Sequence, residues 1–180
     1  MRTGFMSAER RSFPYPRLTI HLITTPIPYT SFVTTISQFW ADVRQALPHL
    51  QEPLPAAWAF GARAEHADEL LALVLSGTKT GTASLLADFT DEEPVPTVGE
   101  LSIILDGQGN PRAVLETTDI AIVPFQDVTA EHAWSEGESN RSLDAWREIH
   151  KRFWEEHSDA EFSETSPVVC ERFRVIYPLT

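Results

Sequence analysis

Cysteine is nearly absent from this chain of 180 residues: Cys170 stands alone. A single thiol excludes an internal disulfide and any cysteine-based metal cluster, and it suits a reducing cytoplasm. No apolar run approaches the roughly 20 residues that a membrane-spanning helix needs. The N-terminus carries Arg10, Arg11 and Arg17 but is broken by prolines and shows no small-residue cleavage site, so it does not read as a signal peptide. A cytoplasmic location and no membrane partner are therefore expected. Positive charge is scarce too, with Lys plus Arg at 14 against Asp plus Glu at 26, a formal net charge of −12. Proteins hold long DNA or RNA by neutralising phosphates, so this field opposes long nucleic acid while leaving room for a small fragment in a locally basic pocket. Among the cations only Lys79 and Lys151 are lysines.

Several chemical signatures are missing as well. The histidines His132, His150 and His157 have no ligand-like spacing and no His-Glu-x-x-His string occurs, so no metal is expected. There is no Gly-x-Ser-x-Gly nucleophile turn and no dinucleotide fingerprint. The string around Lys79 is not a phosphate-binding P-loop, which needs Gly-x4-Gly-Lys-Ser/Thr between a strand and a helix.

What is present is a chain long enough for one domain. Residues 1–33, with Pro14, Pro16, Pro26 and Pro28, have no sustained period and read as an arm or tail; residues 34–180 read as a single domain. Ile36, Phe39, Trp40, Val43 and Leu47 recur at helical steps until Pro48. A second helix is predicted over Ala64 to Ser76, with Leu70, Leu71, Leu73, Val74 and Leu75 on a broad buried face and Gly77 as a left-handed cap. Leu101 to Leu105 and Arg112 to Val123 read as strands joined by the turn Asp106-Gly-Gln-Gly-Asn-Pro111. Ser142 opens a third helix whose buried side is expected to carry Leu143, Trp146, Ile149 and Phe153. Val168 to Tyr177 is a final strand, with Cys170 buried in it. The order points to an α+β fold around a small, largely antiparallel sheet or barrel.

Two clusters could carry chemistry. Gly77 to Ser84 holds Lys79 among three threonines, a serine and two glycines. A lysine that loses its proton by desolvation can activate a neighbouring hydroxyl. In a flat strand, however, Thr78, Thr80, Thr82 and Ser84 share one face and Lys79 points to the other. A catalytic pairing of Lys79 with Thr82 therefore requires a bend, which Gly81 makes cheap. The second cluster is Glu131, His132, Glu136, Glu138 and Arg141, read as a polar loop before the third helix, with Glu100 and Asp127 as further carboxylates. A glutamate kept partly protonated by burial could act there as general acid or base. Trp58, Phe60, Trp134, Trp146 and Trp154 read as core aromatics, with Trp58, flanked by Pro and Gly, best placed among them to stack on a base.

Taken together, the strings Trp58-Ala-Phe60-Gly61, Ala67-Asp68-Glu69-Leu70, Gly77-Thr-Lys79-Thr-Gly-Thr82-Ala-Ser84, Pro96-Thr-Val-Gly99-Glu100, Val123-Pro124-Phe125-Gln-Asp127-Val128, Glu136-Gly137-Glu138 with Arg141-Ser-Leu143, and Val169-Cys170-Glu171-Arg172-Phe173 resemble the ASCH (ASC-1 homology) domain family. They run in order over about residues 36–178. The resemblance implies a PUA-like small β-barrel flanked by α-helices, with a cleft at the Gly-x-Lys motif. It also implies a hydrolase acting on an N-acylated nucleobase or nucleoside such as N4-acetylcytidine, with Lys79, Thr82 and Glu136 catalytic and no cofactor. Trp58, Ser84, Glu100 and Arg141 are the expected substrate-binding positions; Ser84 stands where the amidohydrolase branch has arginine. The alternatives are a non-catalytic module that binds RNA or a modified nucleotide, with Arg141 on phosphate, and a ribonuclease. The expected partner is a small nucleoside-like substrate or short RNA.

Overall fold

The computed structural model describes residues 34–50 and 53–178, and the arm read over residues 1–33 lies outside them. Helix α1 (Ile36–Ala46) starts where Thr35 Oγ1 accepts the Gln38 N–H at 3.1 Å. Strand β1 (Ala56–Trp58) leads into α2 (Ala64–Leu75), which ends at Gly77 with φ +73°, the left-handed conformation that the sequence pattern requires. Then follow β2 (Gly81–Leu85), β3 (Leu101–Leu105) and the long β4 (Pro111–Pro124). The turn between β3 and β4 is tied by Asp106, whose carboxylate accepts the backbone N–H groups of Gln108 and Asn110. Helix α3 (Ala130–Glu136), helix α4 (Leu143–His157) and strand β5 (Pro167–Tyr177) complete the described chain.

The strands form one sheet in the order β1-β3-β4-β5-β2, parallel between β1 and β3 and antiparallel elsewhere. Register shifts at Val114/Leu115 and Thr117/Asp119, where β4 meets β5, bend the long strands. The sheet curls into a half-barrel, and with the helices it gives the expected α+β architecture. Around β3 both faces are covered. Ile104 packs with Leu70, Leu71 and Val74 of α2, while its neighbour Ile103 packs with Phe39, Trp40 and Val43 of α1. A third cluster sets Ala83, Leu85, Val168 and Cys170 against Phe125, Trp146 and Trp154. No helix among the described residues is long and apolar enough to cross a membrane.

Three expectations need correction. The polar stretch before α4 is not all loop, because Ala130–Glu136 is helical. Thr129 Oγ1 accepts the His132 N–H at 3.1 Å, and Gly137, at φ +75°, ends the helix. This helix buries His132, Ser135 and Glu136, so no apolar period marks it. The buried stripe of α4 is Trp146, His150 and Trp154, whereas Ile149 and Phe153 are half-buried. The i, i+4, i+8 row and the i, i+3, i+7 row are adjacent on a helix, and the row with the two tryptophans faces inward. Finally, Trp134 is 58% exposed rather than core.

Candidate functional site

Lys79 sits in the connection from α2 to β2. Its N–H and that of Thr78 both donate to the Leu73 carbonyl at 3.0 and 2.9 Å, tying the segment to the end of α2. The C-terminal end of α3 lies against this segment, and two glycines permit the approach. A Cβ at Gly81 would collide with Ser135 Oγ, and one at Gly137 would lie 2.8 Å from the Thr78 carbonyl oxygen. Thr80 N–H donates to Ser135 O at 2.7 Å across the same contact.

These constraints bury Lys79 to 1% exposure and aim its ammonium at α3. Nζ donates to Glu138 Oε1 at 2.7 Å and to Glu136 Oε2 at 3.0 Å, and it stands 5.5 Å from the centre of the Phe60 ring. Glu136, also 1% exposed, has its second oxygen equally committed. Trp146 Nε1 donates to Oε1 at 2.6 Å. His132 Nε2 lies 3.2 Å and His150 Nε2 3.6 Å from the same oxygen, neither with hydrogen-bonding geometry. His150 Nδ1 is 2.9 Å from the Trp146 carbonyl, which can only accept, so Nδ1 carries a proton.

The electrostatics follow from this packing. Burial by itself pulls the Lys79 ammonium towards neutrality, but the charges of Glu138 and Glu136 outweigh it and hold its pKa above the ordinary 10.5. Burial likewise favours a protonated Glu136, yet Lys79, with His150 and His132, holds that carboxyl well below its usual 4.5. The cluster is thus a locked ammonium–carboxylate set. The expectation of a shielded Lys79 with a lowered pKa is half right: it is shielded, and its pKa is raised.

The other expected site residues are dispersed. Along the chain Lys79, Gly81, Ala83 and Leu85 are buried while Thr80, Thr82 and Ser84 are half-buried. Gly81 is not among the positive-φ residues, and β2 pairs without a break with β5 from Gly81↔Arg172 to Leu85↔Val168. Thr82 lies across from Glu171, on the opposite face of β2 from Gly81 and Ala83. Ser84 shares that opposite face. Trp58 is 8% exposed and edge-on to Phe60 at 4.6 Å within the core, so its ring is not open to a ligand. Glu100 Oε2 accepts from Thr97 N–H at 2.9 Å and serves its own turn. Arg141, at φ +62°, stacks 3.9 Å from the centre of the Trp134 ring, and donates to Trp134 O at 2.9 Å and to Thr78 O at 3.4 Å. It staples α3 to the Lys79 segment. Cys170 is buried, and burial together with the Glu136 charge pushes its thiol up to about 12, which makes it a poor nucleophile.

Glu138 and His132, read from the sequence as part of the polar cluster but given no individual role, complete the set, together with His150 and Trp146. For Glu138 the sequence held a signal, its place two residues after Glu136. The role of His150 depends on the rotation of α4 and had none.

A cavity of about 510 Å³ opens at Glu138, between the start of α2 and the side of α4 that carries Phe153. Arg63, His66, Arg152 and His157 also line it, and Phe153 and His157 stack there at 4.5 Å between ring centres. A second cavity of about 390 Å³ is lined by His132, Cys170 and Arg172 with the carboxylates Asp119, Asp127 and Glu131.

Comparison with known proteins matches this architecture. A crystallised protein of Enterococcus faecalis V583 shares 34% identity over 81% of this chain and 95% of its own, with a TM-score of 0.70. The ASCH domain from Lactobacillus crispatus JV V101 shares 29% identity over 79% of this chain and 94% of its own, with a TM-score of 0.67. No curated protein matches. Residues 56–177, from β1 to the end of β5 and including Lys79, Glu136 and Glu138, match the family model of the ASCH domain, and the chain belongs to that family.

Proposed function

We propose that the protein binds a nucleoside-type small ligand in the cavity beside Glu138, as a reader rather than as an amidohydrolase driven by Lys79. The observation that carries this reading is the state of Lys79: an ammonium held by two carboxylates at 2.7 and 3.0 Å has no lone pair with which to take a proton. A hydrolase of the expected type needs a neutral Lys79 in hydrogen-bonding reach of the Thr82 hydroxyl, and the place of Thr82 on the face of β2 opposite Gly81 and Ala83 weighs against that pairing. As a binding site the same parts are coherent. The Lys79–Glu136 pair fixes α3 and thereby Glu138, a carboxylate suited to accept from the N–H groups of a base. The Phe153–His157 stack offers an aromatic wall, and about 510 Å³ lies within the usual range of small-ligand pockets, roughly 300–1,000 Å³. The net charge of −12 weighs against long RNA and far less against a small ligand.

The test is calorimetric titration of the full chain with a panel of nucleosides and N-acylated nucleosides, run beside a short RNA, with product analysis of every mixture. Saturable nucleoside binding without release of the acyl group is expected. Deacylation that disappears in Thr82→Ala would instead establish the amidohydrolase. Tight binding of the RNA with no binding of any nucleoside would move the function to RNA recognition.

A further inference from the structure

The cavity at Glu138 carries a charge pattern that its neighbours do not. The chain has 26 acids to 14 cations, yet two of its arginines, Arg63 and Arg152, line this one cavity with no ion-pair partner among the described residues. They come from different elements, Arg63 from the residue that caps α2 and Arg152 from the middle of α4. Of the two carboxylates that face them, Glu138 shares the Lys79 ammonium with Glu136, at 2.7 Å, while Glu156 is exposed to solvent. His66 and His157 line the same space. The cavity beside His132, by contrast, sets three carboxylates against Arg172, whose guanidinium already contacts Glu131.

From this we infer that the ligand of the Glu138 cavity is a nucleotide with a terminal phosphate, held by Arg63 and Arg152, rather than a free nucleoside. The inference rests on the binding reading above and specifies its ligand. Guanidinium groups offer planar pairs of N–H donors that match phosphate oxygens, and two of them on facing elements clamp a dianionic monoester better than an internal phosphodiester with its single charge. Glu138 sets the orientation. It repels phosphate, so the phosphate takes the arginine side and the base lies towards Glu138 and the Phe153–His157 stack. The first turn of α2, which Arg63 caps without a side-chain acceptor, adds its positive end to the field of the arginines.

Calorimetric titrations of the full chain with adenosine, guanosine, cytidine and uridine, their 5′-monophosphates and inorganic phosphate test this, on the wild type and on an Arg63→Gln/Arg152→Gln double variant. Both arginines are exposed, and melting curves verify that the variant keeps its fold. The expected result is that at least one monophosphate binds about tenfold or more tightly than its nucleoside. In the double variant that advantage should vanish while nucleoside affinity persists. Equal binding of nucleoside and monophosphate would overturn the phosphate inference and leave the binding reading standing. Inorganic phosphate binding as tightly as the nucleotide would also overturn it, assigning the arginines to an anion alone. If neither nucleosides nor monophosphates bind, both readings fall together.

Discussion

Replacing Lys79 with methionine is the sharpest perturbation of the buried cluster. Methionine keeps an unbranched, flexible stem of similar course, so the ammonium is lost without a large void. Two carboxylates are left behind, Glu136 at 1% and Glu138 at 16% side-chain exposure, stripped of contacts at 3.0 and 2.7 Å. Removing one partner from a buried pair costs about 3–5 kcal/mol, because the other charge stays desolvated. An exposed pair is worth only about 0–1 kcal/mol. For a chain of this size each kcal/mol moves Tm by about 2–4 °C, so a fall of about 6–20 °C at neutral pH is expected. The pH dependence gives an independent check. In the wild type the depressed Glu136 pKa contributes stability above its unfolded value near 4.5, and that contribution is lost as pH falls through the folded pKa. The raised Lys79 pKa contributes fully below about 10.5 and is lost as pH rises through the folded value. Without Lys79, desolvation raises the Glu136 pKa and its ionised form becomes destabilising. The deficit of the variant should therefore shrink as pH is lowered from 7 to 5. Circular-dichroism melts of both proteins at the two pH values measure this. A loss under about 1 kcal/mol, or a deficit that does not change with pH, would refute the picture of a dry, charged pair.

Trp146→Phe leaves a smaller aromatic ring to pack on Phe125 and deletes the indole N–H that donates to Glu136 at 2.6 Å. A hydrogen bond to a charged group predicts a loss of about 1.5–3 kcal/mol in urea unfolding, and a change under about 0.5 kcal/mol would show that Glu136 does not depend on it. Gly77→Ala and Gly137→Ala form a matched pair, at φ +73° and +75°. Both incur the roughly 1–2 kcal/mol of a left-handed L-residue. Only Gly137 also brings a Cβ to 2.8 Å from the Thr78 carbonyl oxygen, whereas Gly77 has open space. Gly137→Ala should therefore melt lower than Gly77→Ala, and equal melting temperatures would mean that α3 can back away from the Lys79 segment freely.

Much of the scaffold was legible because its signals are local. Ser142 caps α4 as its position before an apolar period suggests, and Gly77 ends α2 in the left-handed conformation. Strand β3 has the predicted bounds, and Cys170 is buried within β5. Helix α3 was not legible: seven residues with His132, Ser135 and Glu136 turned inward have no apolar repeat, and their stability comes from the sheet and α4 rather than from their own pattern. The buried stripe of α4 was misplaced by one row for a related reason. Ile149 and Phe153 are as apolar as the residues that go inside, and only the neighbouring elements choose between two adjacent rows.

The sequence by itself determined the identity of the central residue and the face rule that governs it. A lysine between glycines, in a chain nearly devoid of lysine, drew attention to position 79, and strand alternation already implied that Thr82 would lie opposite unless Gly81 turned. Whether Gly81 turned was a tertiary matter, decided by the pairing of β2 with β5. So was the protonation of Lys79. Its carboxylate partners lie 57 and 59 residues further along the chain, and a side chain's charge is set by what surrounds it in space. Desolvation, which sequence reasoning anticipated, is present; the two carboxylates that reverse its effect are supplied only by the packing of α3 against the Lys79 segment.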